Sequence, residues 1–174
     1  MSRPFRRLAA LLAVLAGALA GPAAAQGALS EAQAKAAFVL NFARYVEWPE
    51  RSFATRDSPL LICLLGRDSL ASALAALENR PVQSRLVSVR MVATVDEARP
   101  CHVLFIGASE TRRLTLLMRS LAGQPVLTVS DADGFIDAGG AIGIVQGDGR
   151  LQFEVNRQTL EQAQIKASAN LLKL

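Results

Sequence analysis

The chain has 174 residues, 51% hydrophobic and 20% charged, with 19 Lys+Arg against 15 Asp+Glu, one His and two Cys. That length suits one domain of ordinary size with a full core. The residue inventory excludes CxxC, HExxH and His-cluster metal spacings. The basic excess sits largely at the start of the chain, so no general nucleic-acid footprint is expected.

Arg3, Arg6 and Arg7 precede the apolar run Leu8–Ala20, Gly21-Pro22 interrupts it, and Ala23-Ala24-Ala25 offers small residues before Gln26. This order predicts a cleaved secretory signal over residues 1–25, with residues 26–174 as the mature, exported domain. The run is shorter than the ~20 residues a bilayer-spanning helix needs. An uncleaved anchor and a twin-arginine signal built on Arg6-Arg7 are the alternatives. Loss of the three arginines lowers the net charge from +4 to +1. No second stretch is apolar enough to insert in a membrane, and no Cys marks the cleavage site for lipidation.

Ser30 with Gln33 has capping-box spacing and predicts a helix start. Ala34, Phe38, Phe42 and Tyr45 continue it at helical intervals, and Trp48-Pro49 closes it. Residues 59–65 read as a buried strand ending at Gly66. Asp68 caps a helix through Leu70, Leu74 and Leu77, and residues 86–92 alternate as a second strand. A short helical stretch, 95–99, leads to a third strand, 101–106, ending at Gly107. Ser109 caps a helix over 110–121, and residues 126–129 form a fourth strand. Residues 141–146 and 150–155 make a hairpin around Gly147-Asp148-Gly149. Asn156 caps a last helix carrying Leu160, Ala163, Ala167, Leu171 and Leu174.

Strand–helix alternation predicts an α/β single-domain sandwich: a mostly parallel central sheet, helices on both faces, and a C-terminal β-hairpin plus helix. In the flavodoxin-like order 2-1-3-4-5 the first and third strands are neighbours. Cys63 and Cys101 lie on these two, and an even Cys count in an exported chain favours a bridge. Two buried, unpaired thiols are the alternative. Level strand ends at Gly66 and Gly107 would set Cys63 opposite Leu104. The resulting offset of ~10 Å from Cys101 exceeds disulfide reach, so either the strands stagger or a strand boundary differs.

Asp131-Ala132-Asp133-Gly134 follows a strand, where open α/β sheets bind ligands. It resembles the DxDG start of haloacid-dehalogenase-type phosphatases, which would make Asp131 and Asp133 a Mg²⁺-dependent site. That motif belongs on a first strand, and no acidic pair follows to complete it. An EF-hand reading fails because Phe135 and Ile136 occupy positions needing an oxygen ligand and a Gly. A turn in which Asp131 accepts backbone N–H bonds and Gly134 takes a positive φ explains the residues equally. Gly139, Gly140 and Gly143 form no GxGxxG. His102 lies in a strand beside a Cys, and adjacent strand residues face opposite sides, so the two make no nucleophile–base pair. Phe38, Phe42, Tyr45 and Trp48 are either core or a partner surface.

Five stretches together resemble the YfiR (HmsC-related) family of small periplasmic proteins: Lys35–Pro49, Pro59–Gly66, Cys101–Gly107, Pro125–Gly140 and Phe153–Leu174. The combination of FxxNFxxxxxWP with SDxxGFxxxGG carries most of the likeness. It implies a non-enzymatic α/β domain, without cofactor or metal, that represses an inner-membrane diguanylate cyclase through its periplasmic sensor region. Cyclic di-GMP and biofilm formation then fall. An OmpA-like outer-membrane lipoprotein is a second expected partner, and a homodimer a third. Cys63 and Cys101 match the family bridge important for folding; the second bridge of the best-known member has no counterpart, since no Cys follows Cys101. The expected partner- or ligand-binding residues are Tyr45 and Trp48 at the helix end with Asp131, Asp133, Gly134, Phe135, Gly139 and Gly140. A small-ligand module using Asp131–Phe135 is the alternative.

Overall fold

A computed structural model describes residues 23–171, with side chains from Glu31 onward. Residues 1–22 of the expected leader, and Leu174 of the expected last helix, lie outside the described residues. The chain divides into two compact units, Met1–Glu31 and Ala32–Leu174. Of the first, only the opening turns of α1 (Ala23–Arg44) are described; the second holds the sheet and its covering helices.

Five parallel strands form the centre: β2 (Leu60–Leu65), β4 (Arg85–Val92), β5 (Val103–Ile106), β6 (Leu127–Ser130) and β7 (Ile142–Gly147). β3 (Pro81–Val82) and β8 (Arg150–Val155) are antiparallel edge strands. The sheet order is β3-β4-β2-β5-β6-β7-β8, so the parallel strands keep the 2-1-3-4-5 order. Alternation explains the layering. Leu60, Ile62 and Leu64 of β2, with Val103 and Phe105 of β5, enter one core cluster. Cys63, Leu65, Leu104 and Ile106, one residue out of phase, enter a second. Successive strand side chains point to opposite faces, so runs apolar at every position need cover on both sides. α1, α2 (Ala71–Ala75) and α5 (Arg157–Gln162) supply apolar residues to the first cluster. α3 (Val95–Ala98) and α4 (Leu114–Leu121) supply the second.

The two cysteines are bridged, with Cα atoms 6.0 Å apart. Cys63 does stand opposite Leu104 in the ladder. The bridge forms because Cys101 is not yet in the strand. Its N–H donates to Ala98 O at 3.0 Å, so the chain is still turning out of α3, and β5 begins only at Val103.

Several boundaries differ from expectation. α1 begins at Ala23, so Ser30 lies inside it; the Ala-rich stretch before Ser30 has high helix propensity. It ends at Arg44, short of Trp48, because the chain turns extended at β1 (Val46–Glu47). β1 pairs with β9 (Lys166–Ala167), and this pairing also stops α5 at Gln162. The expected long last helix is therefore a helix, a turn with Gln164 at φ 57°, and a strand; Ala167 is exposed while Leu171 is buried. Ser109 does not cap α4, since a 3-10 stretch, Ala108–Arg113, precedes that helix. Asn156 does cap α5, accepting from Thr159 N–H at 3.2 Å.

Candidate functional site

In this fold the default ligand crevice opens where the strand order reverses, beyond the C-terminal ends of β2 and β5. Here two loops from this chain close it. Asp68 accepts N–H bonds from Leu70 (2.8 Å) and, across the crevice, from Ala108 (2.9 Å). Ser109 Oγ accepts from Arg67 N–H at 2.8 Å and donates to Glu110 Oε1 at 3.1 Å. A Cβ added at Gly107 would stand 2.9 Å from Arg67 O, so only glycine lets the loops approach this closely. A ligand entering here would have to break the crossed bonds between the loops.

The Asp131–Gly140 loop follows β6. Ser130 Oγ, fully buried, donates to Ile106 O at 2.9 Å and accepts from Ala132 N–H at 3.1 Å. Asp131 pairs with Lys35 Nζ of α1 at 2.6 Å, both side chains largely covered. Phe135 turns inward and is 1% exposed in the second core cluster. Gly140 lies against its ring: an added Cβ would stand 2.5 Å from Phe135 Cδ1 and nearer still to Cε1 and Cζ. Gly134 and Gly139 take φ of 72° and 97°, conformations that glycine adopts without Cβ strain. The residues of SDxxGFxxxGG thus have a mechanical reading. Ser130 holds the loop to β5, Phe135 plugs the second face, and the glycines make room for the plug. Asp133 and Gly134 are exposed at the loop tip. Among the described residues no group of three or more His, Cys, Asp or Glu could hold a metal ion.

Trp48 and His102 sit at the other end of the sheet. Trp48 Nε1–H donates to His102 O at 3.1 Å, and Leu127 N–H donates to the same carbonyl at 2.8 Å. Asp131 lies four residues beyond Leu127, about 13 Å along the strand. The structure therefore separates the two halves of the expected surface. Trp48 is 9% exposed and Phe135 less; Tyr45 is half-buried against the first cluster. Only the Asp133–Gly134 tip offers wholly exposed groups from that set.

His102 is a structural residue in a four-member stack. Its Nδ1 accepts from Leu61 N–H at 3.0 Å, and Nε2 lies 2.9 Å from Ser52 O. The neutral Nε2–H tautomer satisfies both contacts. Phe53 stacks on the imidazole at 4.1 Å, and Arg85 covers Phe53 at 3.6 Å. Trp48 meets the imidazole edge-on at 5.9 Å. Burial lowers the His102 pKa; the Ser52 hydrogen bond opposes this and the Arg85 charge adds to it. No spacing in the sequence points to this cluster, because Phe53 and Arg85 come from a loop and a distant strand.

Among the described residues no helix is long and apolar enough to cross a membrane. A family model described as YfiR/HmsC-like matches residues 32–174. That span includes both cysteines, the Asp131–Gly140 loop and every described strand. The chain belongs to the YfiR/HmsC-like family.

Proposed function

We propose that this chain is an exported, non-enzymatic regulator, cut after Ala25, that docks on the periplasmic sensor region of an inner-membrane diguanylate cyclase and holds it inactive. Family membership across residues 32–174 carries the reading. Two further features support it. The crevice where such folds take small substrates is bridged by Asp68 and Ser109, and the acidic loop spends Asp131 on an ion pair with Lys35. The partner contact in this reading runs over the Asp133–Gly134 tip, with Phe135 beneath it as a buried support. An OmpA-like lipoprotein competing for the repressor is part of the same proposal.

Deleting the gene tests it. Cyclic di-GMP and surface attachment should rise, and in-cell crosslinking of the tagged chain should capture a membrane cyclase. Unchanged cyclic di-GMP with no crosslinked membrane protein removes the proposal.

One observation favours a second reading, a ligand-binding module. A concavity of about 750 Å³ between α5 and β9 is lined by Val155, Leu160, Ile165 and Ser168, among others. Ser168 Oγ is buried there without a hydrogen-bond partner among the described residues. The volume is in the range that holds small molecules. A thermal-shift screen with amino acids and nucleotides tests it, and silence from every compound counts against it.

A further inference from the structure

Residues 49–58 form a strap between β1 and β2. The strap contains one 3-10 turn, Glu50–Ser52, and none of its residues is buried. Such a segment has little apolar burial to hold it closed. Its ties to the rest of the chain converge on His102 and Arg85. Ser52 O lies 2.9 Å from His102 Nε2, and Phe53 stacks on the imidazole. Arg85 Nη1 donates to Thr55 O at 3.1 Å and to Ser58 O at 2.6 Å. Arg51 adds a hydrogen bond to Gln164 Oε1. Ser52 Oγ is covered yet has no hydrogen-bond partner among the described residues, a cost of the closed arrangement that contact with water removes.

His102 is 4% exposed, and its surroundings fit only the neutral ring. Leu61 N–H donates to Nδ1 at 3.0 Å, and Leu61 O accepts from His102 N–H at 3.0 Å. The imidazole thus continues the β2–β5 ladder one step before the Ile62↔Val103 pair. A proton on Nδ1 would set two N–H donors face to face. It would also place a second cation against Phe53, whose other face carries Arg85 at 3.6 Å. The strap itself brings Glu50, Arg51, Arg56 and Asp57, β1 brings Glu47, and β2, β5 and β6 bring no charge; of all these groups only Arg85 bears on the imidazole. The imidazolium has to leave this position, and the Ser52 contact and the Phe53 stack go with it.

We infer that residues 49–58 are an acid-released latch, closed over Trp48 by neutral His102 and opened when the imidazole takes a proton at Nδ1. Trp48 is 9% exposed, with His102 and Phe53 edge-on at 5.9 and 6.4 Å. Opening bares the indole beside a concavity of about 450 Å³ walled by Pro49, Glu50, Arg51, Gln164 and Lys166. The lowered His102 pKa puts opening below pH 6.5. An exported domain, as proposed above, meets the pH of its surroundings, the range in which histidine senses acid.

The chain has one Trp, so its fluorescence reports on this spot alone. As the purified exported chain is taken from about pH 7.5 to about pH 5, Trp48 emission should shift to the red and the Leu61 amide should lose protection about tenfold or more, while Phe105 and Val129 stay protected. His102→Asn, whose Oδ1 can accept from Leu61 but does not titrate, should abolish both changes. Arg85→Gln removes a cation and two of the strap's ties, so it should move the midpoint to higher pH. Emission and Leu61 protection that hold across this range overturn the latch. So does a shift that survives His102→Asn, a midpoint that Arg85→Gln leaves unchanged or lowers, or loss of Phe105 and Val129 protection in step with Leu61. Should His102→Asn fail to fold, NMR titration of the wild-type chain decides: one shared midpoint for the imidazole and the Leu61 amide supports the latch, and separate midpoints overturn it. No partner is present in these measurements, so no outcome bears on the cyclase reading.

Discussion

The Phe135–Gly140 contact yields a prediction that separates a structural loop from a binding loop. Gly140 is not in the left-handed region, so Gly140→Ala adds a methyl without backbone strain. That methyl would stand 2.5 Å or less from three carbons of the Phe135 ring, where carbon atoms rest at about 3.5–4.0 Å. The ring would have to retreat by roughly 1 Å into a cluster that is already packed. Overpacking of this kind costs about 1–3 kcal/mol, or roughly 2–10 °C in Tm for a domain of this size. Phe135→Ala alone should cost about 3–5 kcal/mol through the cavity it leaves. In the double variant the new methyl points into that cavity, so the combined loss should fall short of the sum by about 1 kcal/mol or more. Urea denaturation of the four proteins closes the cycle. Strict additivity would refute the plug, and an unchanged midpoint for Gly140→Ala would refute the close contact itself.

The packing sets three other outcomes. Because burial depresses the His102 pKa, the unfolded chain binds the proton first as pH falls. Stability should therefore decline below about pH 6.5, by at most about 1.4 kcal/mol per pH unit from this group, and His102→Asn should flatten chemical-denaturation midpoints over that window. Replacing Cys63 and Cys101 by Ala should cost about 4 kcal/mol, the chain-entropy value for a 38-residue separation; a loss under 1 kcal/mol would mean the bridge constrains little. Asp131→Asn should lower stability by about 1 kcal/mol through the Lys35 pair, whereas a phosphatase would instead lose turnover toward a phosphate ester with its fold intact.

The α/β class was legible because β2, β5 and β6 are short apolar runs separated by helical or turn residues; the strand order and register were not, beyond a flavodoxin-like order with which a Cys63–Cys101 bridge agreed. The bridge was legible from compartment and count, and its apparent register conflict dissolved at Cys101, which belongs to the turn leaving α3. The long last helix was not legible: Leu160, Ala163, Ala167 and Leu171 hold helical spacing through a segment that instead pairs with β1. Periodicity sees one segment at a time and misses a partner strand more than a hundred residues away. The loop motif was found, and both a catalytic turn and a structural turn fitted its residues. Asp, Gly and Ser residues after a strand resemble a catalytic turn, and only the third dimension reveals Lys35 beside Asp131 and Phe135 inside the core. His102 formed no nucleophile–base pair with Cys101 in the sequence, and its partners Phe53 and Arg85 carried no linear signal.

Export-dependent repression is the centre of the account. Cyclic di-GMP measured in deletion cells that produce either the full chain or one lacking residues 1–25 tests it most directly. The full chain should lower the second messenger to wild-type levels and the leaderless chain should leave it high. Equal levels in the two strains, whether both low or both high, would contradict it.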